Sequence, residues 1–281
     1  MKTLSNIILT VLASCALISC SNDQYSVERK YYNAQKQAEK IFKNPLSSPP
    51  KELQRSVDTF ARFTQEYPQT NIALQAEFVI ARLYMAKEEY EKARAHLNTM
   101  IKNYAKFPDV CSEASFLIAY SYEAAGTWNK ALEHYKKTIQ DYPTTRKSLE
   151  IPIYIARYYK AKFQPDKMLS AYHEAVSHYS ALVKKYPNSL LALTAQNLTA
   201  RCHLAAGEWN QALESFDAML QKYKGTKISM DGIMVQMALI YVKELHDTSK
   251  AKELLETLIK DYPKSRLIRI ANKLLEEVSK K

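Results

Sequence analysis

Tyrosine recurs along this chain at a nearly fixed interval. Tyr67, Tyr104, Tyr142, Tyr186, Tyr223 and Tyr262 are separated by 37, 38, 44, 37 and 39 residues, and four of them precede a proline (Pro68, Pro143, Pro187 and Pro263). A period in this range marks an array of supersecondary units, each burying its apolar face against the next. Composition agrees with helical units. The 281 residues include 4 glycines, too few for the turns of a many-stranded β-sandwich or barrel. None of them stands in a GxGxxG or GxxxxGK(S/T) phosphate cradle, which excludes the usual nucleotide-binding motifs.

The residues upstream of each tyrosine sharpen the period. In one unit Ala119, Tyr122, Gly126, Ala131, Tyr135 and Pro143 stand at offsets 8, 11, 15, 20, 24 and 32. Ala81, Tyr84, Tyr90, Ala93 and Leu97 keep this register in the unit before, as do Ala200, His203, Gly207, Ala212 and Phe216 two units on. This alternation of small and large residues resembles the 34-residue tetratricopeptide-repeat (TPR) family. Small residues at offsets 8 and 20 let the two helices of a unit approach, and large ones fill the space between units. Gly126 and Gly207 suit the tight turn between helices, and proline after tyrosine stops the second helix. Tyrosine, 20 copies in all, is thus read mainly as core and not as a stacking platform for bases or sugars.

The resemblance implies an all-α fold, a right-handed TPR superhelical solenoid of about six helix pairs plus a C-terminal capping helix. Units are expected near 28–68, 71–105, 110–143, 147–187, 190–224 and 230–263, with the cap at 264–281. The outer units depart from the pattern. The first has a break at Asn44-Pro-Leu-Ser-Ser-Pro-Pro50 and Ser56 at the small-residue position. The fourth has about seven extra residues, near Phe163 to Leu169, which must lengthen the turn or the second helix. The sixth has one extra residue between Glu244 and Ser249. In the tail, Leu267, Ile270, Ala271, Leu274, Leu275 and Val278 form one apolar stripe at helical spacing, as a cap over the open end of a stack requires.

The N-terminus reads as an address. Met1 and Lys2 precede an apolar run, residues 7–18, too short for a transmembrane helix and of the length of a secretory leader. The run ends in Leu17-Ile18-Ser19-Cys20, which resembles a bacterial lipobox. That resemblance implies cleavage before Cys20, residues 1–19 as signal peptide, lipidation of Cys20 (the site palmitate would label), and a tether over 20–27. Acyl chains there would replace the leader as the membrane anchor. Ser21 in the following position implies delivery to the outer membrane, facing the periplasm, in a diderm host. Cys111 and Cys202 remain as thiols, 91 residues apart. Repeats touch only their neighbours, so a disulfide between them is not expected and both read as small core residues.

Catalytic chemistry is hard to find. His173-Glu174-Ala175-Val176-Ser177-His178 places two histidines five apart, where a zinc peptidase needs them four apart on one helix face. His96, His134, His203 and His246 are scattered singly, and no GxSxG elbow occurs. No catalytic residue, metal or cofactor is expected, and an enzyme with a site spread across repeats is the least favoured reading.

The stronger candidate for function is the face lined by the first helix of each unit, which carries ligand in the TPR family. Offset 9 holds Arg82, Tyr120, Arg157 and Arg201; offset 5 holds Phe78, Phe116, Ile153 and Asn197. Arginines beside aromatic and aliphatic residues suit an extended peptide whose carboxylates meet the guanidinium forks. The alternative is that these arginines only bond neighbouring carboxylates such as Glu77, Glu113 or Glu150.

The formal charge is +11, of which Lys2 leaves with the leader, and residues 264–281 contribute a net +4. No RNP or zinc-finger signature accompanies it, and export removes nucleic acid as a partner. Anionic lipid, peptidoglycan or an acidic protein are the counter-charges an envelope offers. Units ending in Tyr-Pro-x-Ser/Thr (Tyr67 to Thr70, Tyr142 to Thr145, Tyr186 to Ser189, Tyr262 to Ser265) resemble the envelope-assembly class of TPR lipoproteins. Within that class the chain is similar to the TPR lipoprotein subunit of the outer-membrane β-barrel assembly machinery, though its Tyr-Pro-Phe-Gly repeat start is replaced here by Tyr67-Pro-Gln-Thr. The resemblance implies a non-catalytic, membrane-tethered scaffold for a protein or peptide partner. A peptidoglycan- or division-associated coordinator of the Tol–Pal kind is the alternative.

Overall fold

The computed structural model describes residues 25–280; the leader and Cys20 lie outside them. The described residues form α-helices joined by short turns, with no strand among them. Helix α1 spans 25–43, so the first three of its residues belong to the helix and not to a tether. It is followed by α2 (Pro50–Glu66), α3 (Asn71–Ala86), α4 (Tyr90–Asn103), α5 (Pro108–Ala124), α6 (Trp128–Asp141) and α7 (Arg146–Ala161). Then come α8 (Pro165–Lys185), α9 (Leu190–Ala206), α10 (Trp209–Tyr223), α11 (Asp231–Lys243), α12 (Thr248–Asp261) and α13 (Ile268–Ser279). The chain divides into two units, up to Ser148 and from Leu149, the division falling inside α7. No helix among the described residues is long and apolar enough to cross a membrane.

The Tyr-Pro-x-Ser/Thr signature turns out to join two helices. Tyr67, Tyr142, Tyr186 and Tyr262 each close a helix with nearly the same backbone, φ between −124° and −131° and ψ between 53° and 56°. A residue before proline is driven out of the helical region. Tyr104, which has no proline after it, stays closer to helical at ψ 25°. In three of the four the hydroxyl three residues on then starts the next helix, while Ser265 bonds Asp231 instead. Thr70 Oγ1 donates to the Tyr67 carbonyl at 2.7 Å and accepts the Ala73 amide at 3.2 Å. Ser189 repeats both bonds, to Tyr186 at 2.7 Å and from Ala192 at 3.1 Å, and Thr145 does so with Tyr142 and Ser148. Each cap contributes on the order of 1 kcal/mol. The serine or threonine is there to satisfy an orphan amide.

The turn within a hairpin has one left-handed residue. Gly126 (φ 74°) and Gly207 (φ 79°) hold it as expected, but Glu88 (φ 59°), Phe163 (φ 54°) and His246 (φ 53°) hold it in three other hairpins, and the longer turn between α1 and α2 has none. The geometry belongs to the turn, and glycine is only its least strained occupant.

In the first unit α1, α2 and α3 enclose Tyr31, Ile41, Phe60, Phe63 and Leu83, with Tyr31 edge-on to Phe60 and Phe63 at 5.7 and 5.3 Å. A second cluster joins α3, α4 and α5 through Ala81, Leu97, Met100 and Ile118. In the second unit Ala200, Phe216, Met219 and Met237 join α9, α10 and α11, while Ala238, Leu255, Leu258 and Ala271 join α11, α12 and α13. Fully burying side chains of this size stabilises by roughly 1.5–3 kcal/mol each. Two of the buried tyrosines satisfy their hydroxyls: Tyr135 donates to Glu123 at 2.8 Å and Tyr179 to the Leu149 carbonyl at 2.6 Å, whereas the buried Tyr31 hydroxyl has no hydrogen-bond partner among the described residues. Tyr25, Tyr32 and Tyr120 are the exposed tyrosines; the others are at least half-buried.

The seven extra residues of the fourth unit lengthen its second helix. Helix α8 has 21 residues, where α4, α6 and α12 have 14. Pro165, pre-set for a helix start, opens it immediately after a turn as short as the others. In the cap, Ala271 and Val278 are buried and Leu267, Leu274 and Leu275 pack beside them. Ile270 does not: it is 46% exposed, because α13 begins at Ile268 and its contact face is narrower than the apolar stripe.

Candidate functional site

In the first unit, α3 carries Phe78 and Arg82, and α5 carries Phe116 and Tyr120, each pair one helical turn apart. Phe78 and Phe116 are half-buried against the same cluster between α3, α4 and α5. Arg82 and Tyr120 are exposed. Phe116 lies 5.4 Å from the Tyr135 ring on its inner side, and the Lys147 ammonium sits 4.5 Å from its centroid. Lys147 also pairs with Glu113 at 3.1 Å. Its place beside Phe116 was not legible from spacing, since it enters from the first turn of α7, some thirty residues away.

In the second unit, Arg157 on α7 and Arg201 on α9 occupy the same repeat position and are both exposed. Burial raises the Tyr172 hydroxyl pKa, and the positive charge of Arg157 partly opposes that. Arg201 acts likewise on Tyr179 and Cys202, but burial dominates and pushes the Cys202 thiol up to about 12. Cys202 and Cys111 are both buried free thiols.

Two of the three carboxylates that could have neutralised these arginines are engaged elsewhere. Glu77 pairs with His96 at 2.9 Å and Glu113 with Lys147. Among the described residues, Arg82, Arg157 and Arg201 make no hydrogen bond or ion pair. Exposed guanidinium groups with open donors are what carboxylate recognition requires.

The two histidines of the HExxxH stretch part company. His173 is exposed and its Nε2 donates to Glu208 Oε1 at 2.5 Å, while His203 Nδ1 donates to Oε2 of the same carboxylate at 2.6 Å. Hydrogen bonds from the two imidazoles hold the Glu208 carboxyl below the usual range. Glu208 precedes α10 and so links the turn after α9 to α8. His178 is turned inward beside Tyr179, at 5.5 Å between ring centroids, and burial lowers its pKa. No group of three or more His, Cys, Asp or Glu among the described residues is arranged to hold a metal ion.

Sequence reasoning also missed a cleft of about 690 Å³ between two inter-hairpin turns of the first unit, where Thr70, Asn71, Tyr104 and Phe107 meet Lys102 and Lys106. Its walls come from segments thirty residues apart, so no local motif marks it.

Models of the tetratricopeptide repeat match residues 78–144, 169–225 and 233–265, together more than half of the chain. No curated protein sequence matches it. Among solved structures it is similar to BtubC (BKLC) from P. vanneervenii, at 17% identity over 75% of this chain and 88% of that one, with a TM-score of 0.42. It is similar to the TPR2AB domain of yeast Sti1 in complex with pHSP90, at 15% identity over 89% and 98%, TM-score 0.32. A tetratricopeptide repeat protein from Parabacteroides merdae matches at 12% identity over 89% and 99%, TM-score 0.30.

Proposed function

We propose, from the premise that this chain belongs to the tetratricopeptide-repeat family, that it is a non-catalytic scaffold whose first helices, in each of its two units, capture a protein or peptide bearing carboxylates. The observation that carries this reading is the recurrence of exposed arginine at one repeat position, Arg82, Arg157 and Arg201, with no partner among the described residues. Glu77 and Glu113 are paired with His96 and Lys147, which leaves the guanidinium donors open to an incoming carboxylate. Phe78, one turn before Arg82, and Phe116 and Tyr120 at the matching positions of the next hairpin supply apolar contact, so that charge gives register and ring faces give area.

The lipobox at Cys20 and the Ser21 that follows it support export and tethering to the outer membrane through acyl chains. A basic chain in that compartment meets acidic protein surfaces and anionic lipid before it meets nucleic acid. Work on membrane assembly, including the insertion of β-barrel proteins, is the role this reading favours.

In-cell crosslinking followed by pull-down of the chain tests the scaffold. A specific protein partner is expected, and its capture should be lost when Arg82, Arg157 and Arg201 are together changed to Ala with helicity unchanged. Capture that survives the triple substitution overturns the role given to these arginines. Cosedimentation with purified sacculi in place of a protein partner would move the function to the cell wall. Cys20→Ala should abolish palmitate labelling and release the chain from membranes.

A further inference from the structure

Helix α1 has a solvent face that its packing leaves unused. Tyr31, Ala34, Ala38 and Ile41 form its buried stripe. On a helix of 3.6 residues per turn, the opposite stripe is Tyr25, Arg29, Tyr32, Lys36, Lys40 and Lys43, all exposed. Tyr25 is 68% and Tyr32 53% exposed, so two of the three exposed tyrosines among the described residues share this one face. The Lys36 ammonium stands 4.6 Å from the Tyr32 ring centroid. Glu39 is the acidic residue within the stripe, and Glu28 lies at its edge. Solvation alone accounts for the lysines but not for two tyrosines held out in water among them.

We infer that this face of α1 lies on an anionic phospholipid surface, with its tyrosine rings at headgroup depth and its cations on lipid phosphates. Amphipathic rings favour the membrane–water interface, long basic side chains keep their stems on apolar surface while the charge reaches out, and each cation brought to an anionic leaflet strengthens binding about fivefold. The inference rests in part on the anchor proposed at Cys20. Four residues separate Cys20 from Tyr25, and an extended chain spans at most about 3.6 Å per residue. An acylated Cys20 therefore holds the start of α1 within about 18 Å of the bilayer, where this stripe can engage it.

The test uses the full chain purified from its native host in mild detergent, carrying Tyr32→Trp, mixed with brominated-chain vesicles made of phosphatidylcholine alone or of phosphatidylcholine with phosphatidylglycerol. Trp128 and Trp209 in the unsubstituted chain set the baseline. Expected is sedimentation with both vesicles, and quenching of the added tryptophan by at least half in the anionic vesicles alone. That quenching should vanish in 0.5 M salt, where screening is nearly complete over a few ångströms. It should also vanish with Arg29→Glu, Lys36→Glu and Lys40→Glu together. Sedimentation with both vesicles but quenching no greater than baseline overturns the lipid face and leaves the anchor standing. Sedimentation with the anionic vesicles only, salt-sensitive and quenched, supports the face and removes the anchor. Sedimentation with neither overturns both.

Discussion

The guanidinium of Arg94 lies 4.1 Å from the centroid of the Tyr122 ring. Arg94 belongs to α4 and Tyr122 to α5, so the contact joins the second helix of one hairpin to the first helix of the next. Arg94 is buried, donates from Nη1 to Ser121 Oγ at 3.1 Å, and pairs through Nη2 with Glu91. The Tyr122 ring in turn stacks on His134, 4.8 Å away and 18° from parallel. A position that looks like an ordinary surface arginine is thus a polar bolt between repeats.

Arg94→Ala should destabilise the fold by about 2–3 kcal/mol, combining the lost cation–π contact with hydrogen bonds from a charged group. Arg94→Lys should recover less than half, because a lysine lacks the planar fork that reaches Ser121 and Glu91 while covering the ring. Denaturant unfolding checks both, and a lysine variant as stable as the parent would contradict the role given to the guanidinium.

Phe163 is 92% exposed and held at φ 54°. Phe163→Gly should therefore stabilise by about 0.5–1 kcal/mol, the relief of left-handed strain exceeding the added freedom of the unfolded chain. Gly126→Ala is the mirror experiment. An added Cβ there meets nothing within 4 Å, so its cost of about 1 kcal/mol would be backbone strain alone. Opposite signs in thermal unfolding are the expected result.

The Cys202 thiol, raised by burial to about 12, and the buried Cys111, also raised, should be nearly inert to a disulfide reagent at pH 8. With so little thiolate, Cys202 should react about a thousandfold more slowly than an ordinary cysteine. Both should react within the dead time of mixing once the chain is unfolded in denaturant. Rapid labelling of the native chain at either position would disprove the core reading.

Burial lowers the pKa of His134 and of His178 below the ordinary 6.5. The unfolded chain then binds more protons than the folded one as the pH drops, so the stability these residues contribute is complete above about 6.5 and lost on acidification. His134→Phe with His178→Phe should flatten the fall in the urea midpoint between pH 7 and 5. Glu208, held below its ordinary 4.5 by its two imidazole partners, acts in a lower window. Its contribution is present above about 4.5 and disappears as the pH falls further, so Glu208→Gln should flatten only the decline below pH 4.5.

Much of the fold could be read in advance because its signals are local. The Tyr-Pro pairs, the small residues at Ala81, Ala119 and Ala200, and the left-handed Gly126 and Gly207 act through backbone sterics or helix spacing within one unit. The candidate site was legible only as a pattern of repeat positions. That Arg82, Arg157 and Arg201 lack partners depends on where Glu77 and Glu113 point, and that is set by His96, nineteen residues from Glu77, and by Lys147. The role of Ser189 and Thr70 as helix caps was present in the Tyr-Pro-x-Ser/Thr signature, yet it takes the bonded amides of Ala192 and Ala73 to give the hydroxyl its reason.

By itself, then, the amino-acid order determined a chain of helix hairpins, their register and their stops, since proline geometry, hydroxyl caps and 3.6-residue periodicity act over a few residues. Tertiary structure decided the rest: that the seven extra residues extend α8 and not its turn, that Ile270 faces water, that Arg94 is buried against Tyr122, and that His173 and His203 share Glu208. Each of these depends on which side chain arrives from a neighbouring helix, and the free energy of a buried charge or an exposed ring is set by that neighbour and not by the residues beside it in the chain.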